Sequence, residues 1–137
     1  MITLEQYVGA HAGSPDWTAD RQENAQMLLR AVARLEAIMR GDGVEFLRNP
    51  KTMTEISGET LGGFRPQSCQ VGAPMSNHKR GLAVDIYDPD GSIDLWCVTH
   101  REVLADCGIW IEHPDATRGW SHWQCVAPRS GRRVFMP

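Results

Sequence analysis

The sequence S-N-H-K-R-G-L-A-V-D, from Ser76 to Asp85, combines a loop histidine with a carboxylate in an apolar segment. Six residues lie between His78 and Asp85, and Gly81 among them lets the chain turn before a strand predicted over 82–87. The neighbours of Asp85 in that strand are apolar, and side chains alternate between its two faces. The pattern therefore places a single carboxylate inside a segment that is otherwise typical of a protein core.

An ionised aspartate in such a segment is unfavourable unless it is paired or bound to a cation. Because His78 lies close by, the residues favour Zn2+, which binds imidazole and carboxylate and takes three protein ligands in catalytic sites. The predicted third ligand is His122, in a strand-like run over 120–126 where alternation puts His122 and Gln124 on one face. A histidine beside an apolar strand is more often an ordinary satisfied residue, and the spacing leaves that alternative open.

The pattern S-x-H-x-x-G-x-A-x-D, preceded by G-F-R-P and followed by W-x-H, spans residues 62–124. It resembles the signature of the zinc D-alanyl-D-alanine carboxypeptidases, the phage peptidoglycan endopeptidases and the Hedgehog signalling domain, which share one fold. The resemblance implies zinc ligands at His78, Asp85 and His122. It also implies that Arg65 holds a substrate carbonyl or carboxylate and that Ser76 supports the site.

The general base is the weakest part of this resemblance. Many peptidases of the family carry an acidic residue three positions before the last histidine, where this chain has Gly119. If residues 109–112 pair with residues 120–124, Glu112 falls opposite His122, whereas Asp115 lies nearer the turn. We therefore prefer Glu112 over Asp115 as the catalytic base; the alternative is that both are solvated turn residues.

Aromatic residues near these motifs are candidates for the walls of a substrate pocket. Trp120 is the one that we assign to substrate binding, beside Arg65 and Ser76. Trp123 and Tyr87 are further candidates, although each of the three is individually more typical of a core residue.

The length of 137 residues predicts one domain over 1–137 with a core that needs no disulfides. A net charge of −3 and a pI near 5.9 give no reason to expect nucleic acid or an anionic membrane as a partner. Basic residues do gather near the C-terminus, where Arg129, Arg132 and Arg133 are either solvated or in contact with an anionic cell-wall polymer. We expect a monomer.

Four cysteines occur without a C-x-x-C pair, at Cys69, Cys97, Cys107 and Cys125. We expect free thiols, no signal peptide and no transmembrane segment, since no basic region followed by an apolar stretch opens the chain. This predicts synthesis in the cytoplasm and, with the resemblance above, action at the bacterial cell wall as a phage-released or virion-associated protein.

The elements predicted along the chain give an α+β fold with a small antiparallel sheet backed by helices, like that of the Hedgehog and D,D-peptidase domains. A capping box at Thr3 opens a short helix, and an apolar stripe predicts a long helix over 18–40. A strand is predicted over 53–57 and a helix over 93–106, capped by Ser92. The tail after Ala127 is expected to wrap the surface.

Together these features predict a zinc-dependent peptidase that cleaves peptidoglycan stem peptides, as a D,D-carboxypeptidase or as an endopeptidase of the L-Ala-D-Glu type. The alternative is a non-catalytic zinc-containing module that binds the cell wall or forms part of a virion. Gly119 favours that alternative because it removes the usual base.

Overall fold

The computed structural model describes all 137 residues and has an α+β architecture. The helices are α1 Leu4–Val8, α2 Ala19–Gly41, α3 Ser92–Thr99 and α4 Arg101–Cys107. The strands are β1 Ala83–Asp88, β2 Trp110–Glu112, β3 Gly119–Gln124 and β4 Val134–Phe135. Short 3-10 helices form at Gly9–His11, Asn77–Arg80 and Pro114–Ala116. None of the helices combines the length and the apolar character that crossing a membrane requires.

The long helix α2 agrees with its predicted span to within one residue. Its N-cap is Thr18, whose side chain accepts a hydrogen bond from the backbone N–H of Arg21. The predicted apolar stripe is buried and belongs to one cluster of 20 buried side chains; it comprises Leu28, Val32, Leu35 and Met39. The capping box at the start of α1 is also confirmed, since Thr3 and Gln6 exchange both hydrogen bonds.

The sheet has the strand order β1-β3-β2-β4. β3 pairs antiparallel with both neighbours, and its register with β1 places His122 opposite Asp85. β4 pairs parallel with β2, so the sheet is mixed rather than wholly antiparallel as predicted. The tail also does more than wrap the surface, because Phe135 is buried and its carbonyl accepts from the N–H of His113 at 2.7 Å.

The strand predicted over 53–57 does not form. Met53 has a φ of 59°, a left-handed conformation that interrupts extended backbone, and only isolated bridges at Asn49–Thr54 and Ile56–Ile86 remain. The segment nevertheless serves the sheet, because residues 55–62 exchange backbone hydrogen bonds with the outer edge of β1. These bonds join Ser57 N to Asp85 O, Tyr87 N to Glu55 O and Asp85 N to Gly62 O.

The helix predicted over 93–106 is two helices, which meet at His100 with φ −128° and ψ 43°. Its predicted cap is also wrong, since Ser92 makes no side-chain capping hydrogen bond. The carboxylate of Asp88 takes that role and accepts from the N–H groups of Ile93 and Asp94 at 3.1 and 3.0 Å. A buried carboxylate at the end of β1 therefore fixes the start of α3.

The two faces of the sheet differ in character. Val84, Ile86 and Trp123 belong to the hydrophobic cluster, so Trp123 is a core residue and not a pocket wall. Alternation then turns Asp85 and His122 to the opposite face. The helices cover the apolar face, and the polar face is left to form a site.

Candidate metal centre

His78 is positioned by a 3-10 turn that precedes β1. Ser76 caps this turn, and its hydroxyl accepts from the backbone N–H of His78 at 3.2 Å. Gly81 ends the turn with a φ of 75°, and a Cβ there would lie 2.6 Å from the carbonyl oxygen of Arg21 in α2. Only glycine allows both the left-handed conformation and this close approach to the helix.

The structure brings His78, Asp85 and His122 together, with side chains almost fully buried. One ligand-type atom of each lies within 4.8 Å of the other two. The Oδ1 atom of Asp85 is 3.2 Å from Nε2 of His78 and 2.8 Å from Nδ1 of His122. Two imidazoles and one carboxylate converging in this way form a group that can hold a metal ion.

The outer nitrogen of each histidine has its own acceptor. Nδ1 of His78 is 2.8 Å from the carbonyl oxygen of Gly63, and Nε2 of His122 is 2.9 Å from the amide oxygen of Gln124. The amide of Gln124 is itself fixed, because its Nε2 donates to the carbonyl of Val126 at 2.8 Å. Each histidine can thus keep its proton on the outer nitrogen and present a lone pair towards Asp85, as metal-binding histidines do.

The inner nitrogen of His78 supports this assignment. Nε2 is buried and lies 3.2 Å from the Asp85 carboxylate, yet the two are not aligned for a hydrogen bond and the nitrogen has no partner. A buried polar atom without a partner is rare and unfavourable. A cation between this lone pair and the carboxylate would satisfy both groups, so the donor set fits a metal ion.

The protonation states follow from burial and charge. Burial alone would raise the pKa of the Asp85 carboxyl, but the charge of His78, together with the hydrogen bond and charge of His122, outweighs it and holds that pKa well below its usual range. Burial alone would lower the pKa of His122, whereas the hydrogen bond to Asp85 and its charge raise it overall. Without a cation, His122 therefore tends to hold a proton against Asp85.

Arg65 is also buried at the site, but its guanidinium is engaged by the protein itself. Nη2 donates to Oδ2 of Asp85 at 3.2 Å, Nε donates to the carbonyl of Leu61 at 2.7 Å, and Nη1 donates to the carbonyl of Val71 at 3.3 Å. The structure thus gives Arg65 a role that the motif did not show. It orients the Asp85 carboxylate from the side opposite the histidines.

A cleft of about 390 Å³ opens onto this group, and Arg65, Ser76, Glu112 and Trp120 are among the residues that line it. β2 and β3 pair as predicted, with Ile111 opposite Trp123, so the next residue, Glu112, falls beside His122. The Oε1 atom of Glu112 lies 3.9 Å from Nε2 of His122, the outer nitrogen of that ring.

Asp115 is not brought into the cleft. It belongs to the 3-10 turn Pro114–Ala116, its backbone N–H donates to Nδ1 of His113, and its side chain is 84% exposed. The turn begins at Pro114, whose fixed φ suits the first helical position. Of the two predicted bases, only Glu112 lines the site.

Two supporting residues were not assigned from the sequence. Gln124 had a signal, because strand alternation places it on the face of His122. Gly63 had none as an acceptor, although its neighbourhood explains its identity: a Cβ there would collide with the backbone carbonyl of Tyr7. Because α1 packs so closely against the loop at Gly63, only glycine fits there. The carbonyl of Gly63 remains available to accept from His78.

The four cysteines are free thiols and lie outside the group. Cys125 follows β3, and its sulfur is 3.7 Å from the carbonyl oxygen of Leu82 rather than near the histidines. The atoms of the group that could hold a metal ion are therefore nitrogen and oxygen alone.

Comparisons with known proteins add no assignment to this geometry. No protein-family model, no curated protein and no solved structure matches the chain. The likeness to zinc peptidases accordingly rests on the motif residues of the sequence, and the site must be interpreted from its own chemistry.

Proposed function

We propose that the protein is a zinc-dependent peptidase that cleaves peptidoglycan stem peptides. The observation that carries this proposal is the buried group of His78, Asp85 and His122, in which both histidines have an acceptor on the outer nitrogen. Three nitrogen and oxygen ligands beside an open cleft are typical of catalytic zinc sites, whereas structural zinc sites usually have four protein ligands. The motif resemblance supplies the class of substrate.

Zn2+ held by these residues supplies a Lewis acid that polarises a carbonyl group. The side chains around this site orient the ligands, transfer protons and contact the substrate. Arg65 fixes the Asp85 carboxylate, and Glu112 is the carboxylate of the cleft that can take a proton from water and return it to a leaving amine. Trp120 and Ser76 line the same cleft and form part of the surface that a peptide contacts.

The substrate under this proposal is the short peptide of the bacterial cell wall, cut at a D-Ala-D-Ala or an L-Ala-D-Glu bond. A cleft of about 390 Å³ accommodates a small peptide segment rather than a folded protein. The place of action is then the cell wall, and a phage-released or virion-associated protein is the corresponding biological context.

The alternative is a zinc-containing module that binds the cell wall or belongs to a virion without cleaving a bond. Three observations favour it. Gly119 occupies the position of the usual base, with a φ of 94° and no side chain. Glu112 approaches the outer nitrogen of His122, and all three guanidinium nitrogens of Arg65 are already bonded within the protein.

A turnover assay separates these two functions. Purified protein is stripped with a chelator, reloaded with Zn2+ and incubated with muropeptides that contain D-Ala-D-Ala or L-Ala-D-Glu bonds, with products identified by mass spectrometry. The proposal requires cleavage that is lost on stripping and restored by zinc. Tight zinc binding without cleavage of any stem peptide would instead establish the binding module.

A further inference from the structure

A second cleft, of about 690 Å³, lies between the start of α4 and the C-terminal segment. Its polar lining consists of Arg101, His113, Ser130, Arg132 and Arg133. No aspartate or glutamate lines it, and none of its residues lines the cleft of the metal centre. The two clefts are therefore separate features with different chemistry.

The three arginines of this cleft have no carboxylate partner within 4 Å. The arginines that form ion pairs are Arg40 and Arg65, both elsewhere in the molecule. Asp115, which does not line the cleft, lies 3.6 Å from Nδ1 of His113, and its side chain is 84% exposed. In a chain with 17 acidic and 14 basic residues, a cleft whose formally charged lining side chains are all arginines focuses a positive potential on its interior.

Arg133 is held in place before any ligand arrives. Its Nη1 donates to the carbonyl of Ile109 at 3.0 Å, and its guanidinium lies over the ring of Trp110 with 4.1 Å to the ring centroid. Parallel pairing of β4 with β2 fixes the backbone that follows it. An arginine that is already ordered loses less entropy when it binds an anion.

We propose that this cleft binds the phosphate groups of a phosphodiester polymer that carries no bases. The planar guanidinium matches phosphate oxygens in a bidentate manner, and several of them around one cleft suit a ligand with repeated charges. The volume of about 690 Å³ exceeds what a single phosphate fills, and the exposed side chain of Met136 offers contact to an uncharged linker.

Single-stranded nucleic acid is the less suitable polyanion. Its binding sites combine positive charge with aromatic rings on which bases stack. The lining of this cleft includes no phenylalanine, tyrosine or tryptophan, and the indole of Trp110 beside it is covered by the guanidinium of Arg133. The cleft thus offers charge without a stacking surface.

The test measures binding of oligo(glycerol phosphate) by calorimetry, with a single-stranded oligonucleotide of equal charge and inorganic phosphate as comparisons. The expected result is salt-sensitive binding of oligo(glycerol phosphate) that exceeds binding of the other two. Arg101→Glu with Arg132→Glu should weaken it by about tenfold or more, because two of the three guanidinium groups that could bond to phosphate oxygens become carboxylates that repel them. Both side chains are exposed, so the fold should be retained.

Arg129→Glu is the matched control, because Arg129 is exposed in the same tail but does not line the cleft. Arg133→Lys keeps the positive charge but removes the planar guanidinium that can bond two phosphate oxygens at once, so it should also weaken binding. The proposal is overturned if the double variant binds no more weakly than the control, or if the oligonucleotide binds as tightly as oligo(glycerol phosphate). The readout needs no peptide cleavage, so failure here leaves the peptidase proposal untouched.

Discussion

Arg65 and Asp85 form a buried pair in which Nη2 of the guanidinium lies 3.2 Å from Oδ2 of the carboxylate. The other carboxylate oxygen faces His78 and His122, so the arginine and the histidines hold opposite sides of one group. Through the carbonyl of Val71 the same guanidinium also reaches the loop that lines the cleft. Arg65 therefore connects the candidate metal centre to the wall of its cleft.

Replacing Arg65 with lysine should weaken both stability and zinc binding. An ammonium group cannot reach the three acceptors that a guanidinium satisfies together, so at least one of the partly buried carbonyls of Leu61 and Val71 loses its donor, at about 1 kcal/mol of unfolding free energy. Loss of the group that orients a ligand typically lowers metal affinity by roughly 10- to 100-fold. Urea denaturation and competition with a zinc indicator measure the two effects. Arg30→Lys on the exposed side of α2 is the control and should change neither.

Substitution of either histidine ligand should abolish zinc binding. The wild-type protein is expected to carry about one zinc ion per chain, and His78→Ala and His122→Ala should carry almost none, because two remaining ligands seldom hold zinc. Elemental analysis of dialysed protein gives the ratio. His100→Gln, which alters a histidine stacked on Trp96, should retain zinc. Wild-type protein that stays metal-free when supplied with zinc at neutral pH would contradict the assignment.

The stabilisation by zinc should increase with pH. The pKa of His122 is raised above its ordinary 6.5, so its proton adds stability that is fully present below that value and is lost as pH rises through the raised pKa. The lowered pKa of Asp85 contributes stability that is fully present above the ordinary pKa of 3.8. This contribution therefore does not change at higher pH. Because zinc must displace the proton of His122, its affinity grows as that proton leaves.

Thermal melts between pH of roughly 6 and 9, with and without zinc, check this linkage. The zinc-free protein should become less stable across the range, while the zinc-induced rise in Tm becomes larger. A rise in Tm that is constant, or that shrinks with pH, would show that His122 does not lose a proton when zinc binds.

The two candidate bases should differ sharply. Glu112→Gln should keep zinc and fold but lose roughly 10²- to 10⁴-fold in turnover, the usual contribution of a positioned acid–base group. Asp115→Asn should have little effect because its side chain is exposed and outside the cleft. Initial rates on a muropeptide give the ranking. If both variants retain wild-type rates, neither residue is the base.

The cysteines should be dispensable for zinc binding. All four thiols are free, and burial raises the pKa of the Cys97 thiol. Replacing all four by alanine should leave the zinc content unchanged while lowering stability by about 1 kcal/mol or more, through lost packing at Cys97 and Cys107. Thiol titration should find Cys97 unreactive until the protein unfolds. Loss of zinc in Cys125→Ser alone would contradict the strand geometry.

The parts of the fold that the sequence predicted are those with a periodic signal or a local cap. The stripe of α2 repeats over many turns, and the alternation of β3 places His122 and Gln124 correctly, so both elements are found where expected. The hairpin that brings Glu112 beside His122 followed from the same alternation.

The parts that it did not predict depend on contacts between distant residues. β4 has only two residues, too few for a pattern, and it forms because the edge of β2 accepts it. The break at His100 occurs in a run whose local propensity is helical, where its ring stacks on Trp96 at 4.1 Å. The motif assigned Arg65 to a carbonyl or carboxylate of the substrate. Its three acceptors within the protein lie on loop and strand residues that come together only in the folded chain, so the sequence did not indicate them.

The irregular segment of residues 55–62, which covers the outer edge of β1, affects whether copies of this protein can associate through their sheets. An outer strand with free N–H and C=O groups is a template on which a second chain can add a strand, the usual first step of aggregation. Residues 55–62 occupy that row on β1, and β4 at the other side is only two residues long. A stretch of chain that forms no regular strand of its own thus keeps neighbouring molecules from extending the sheet.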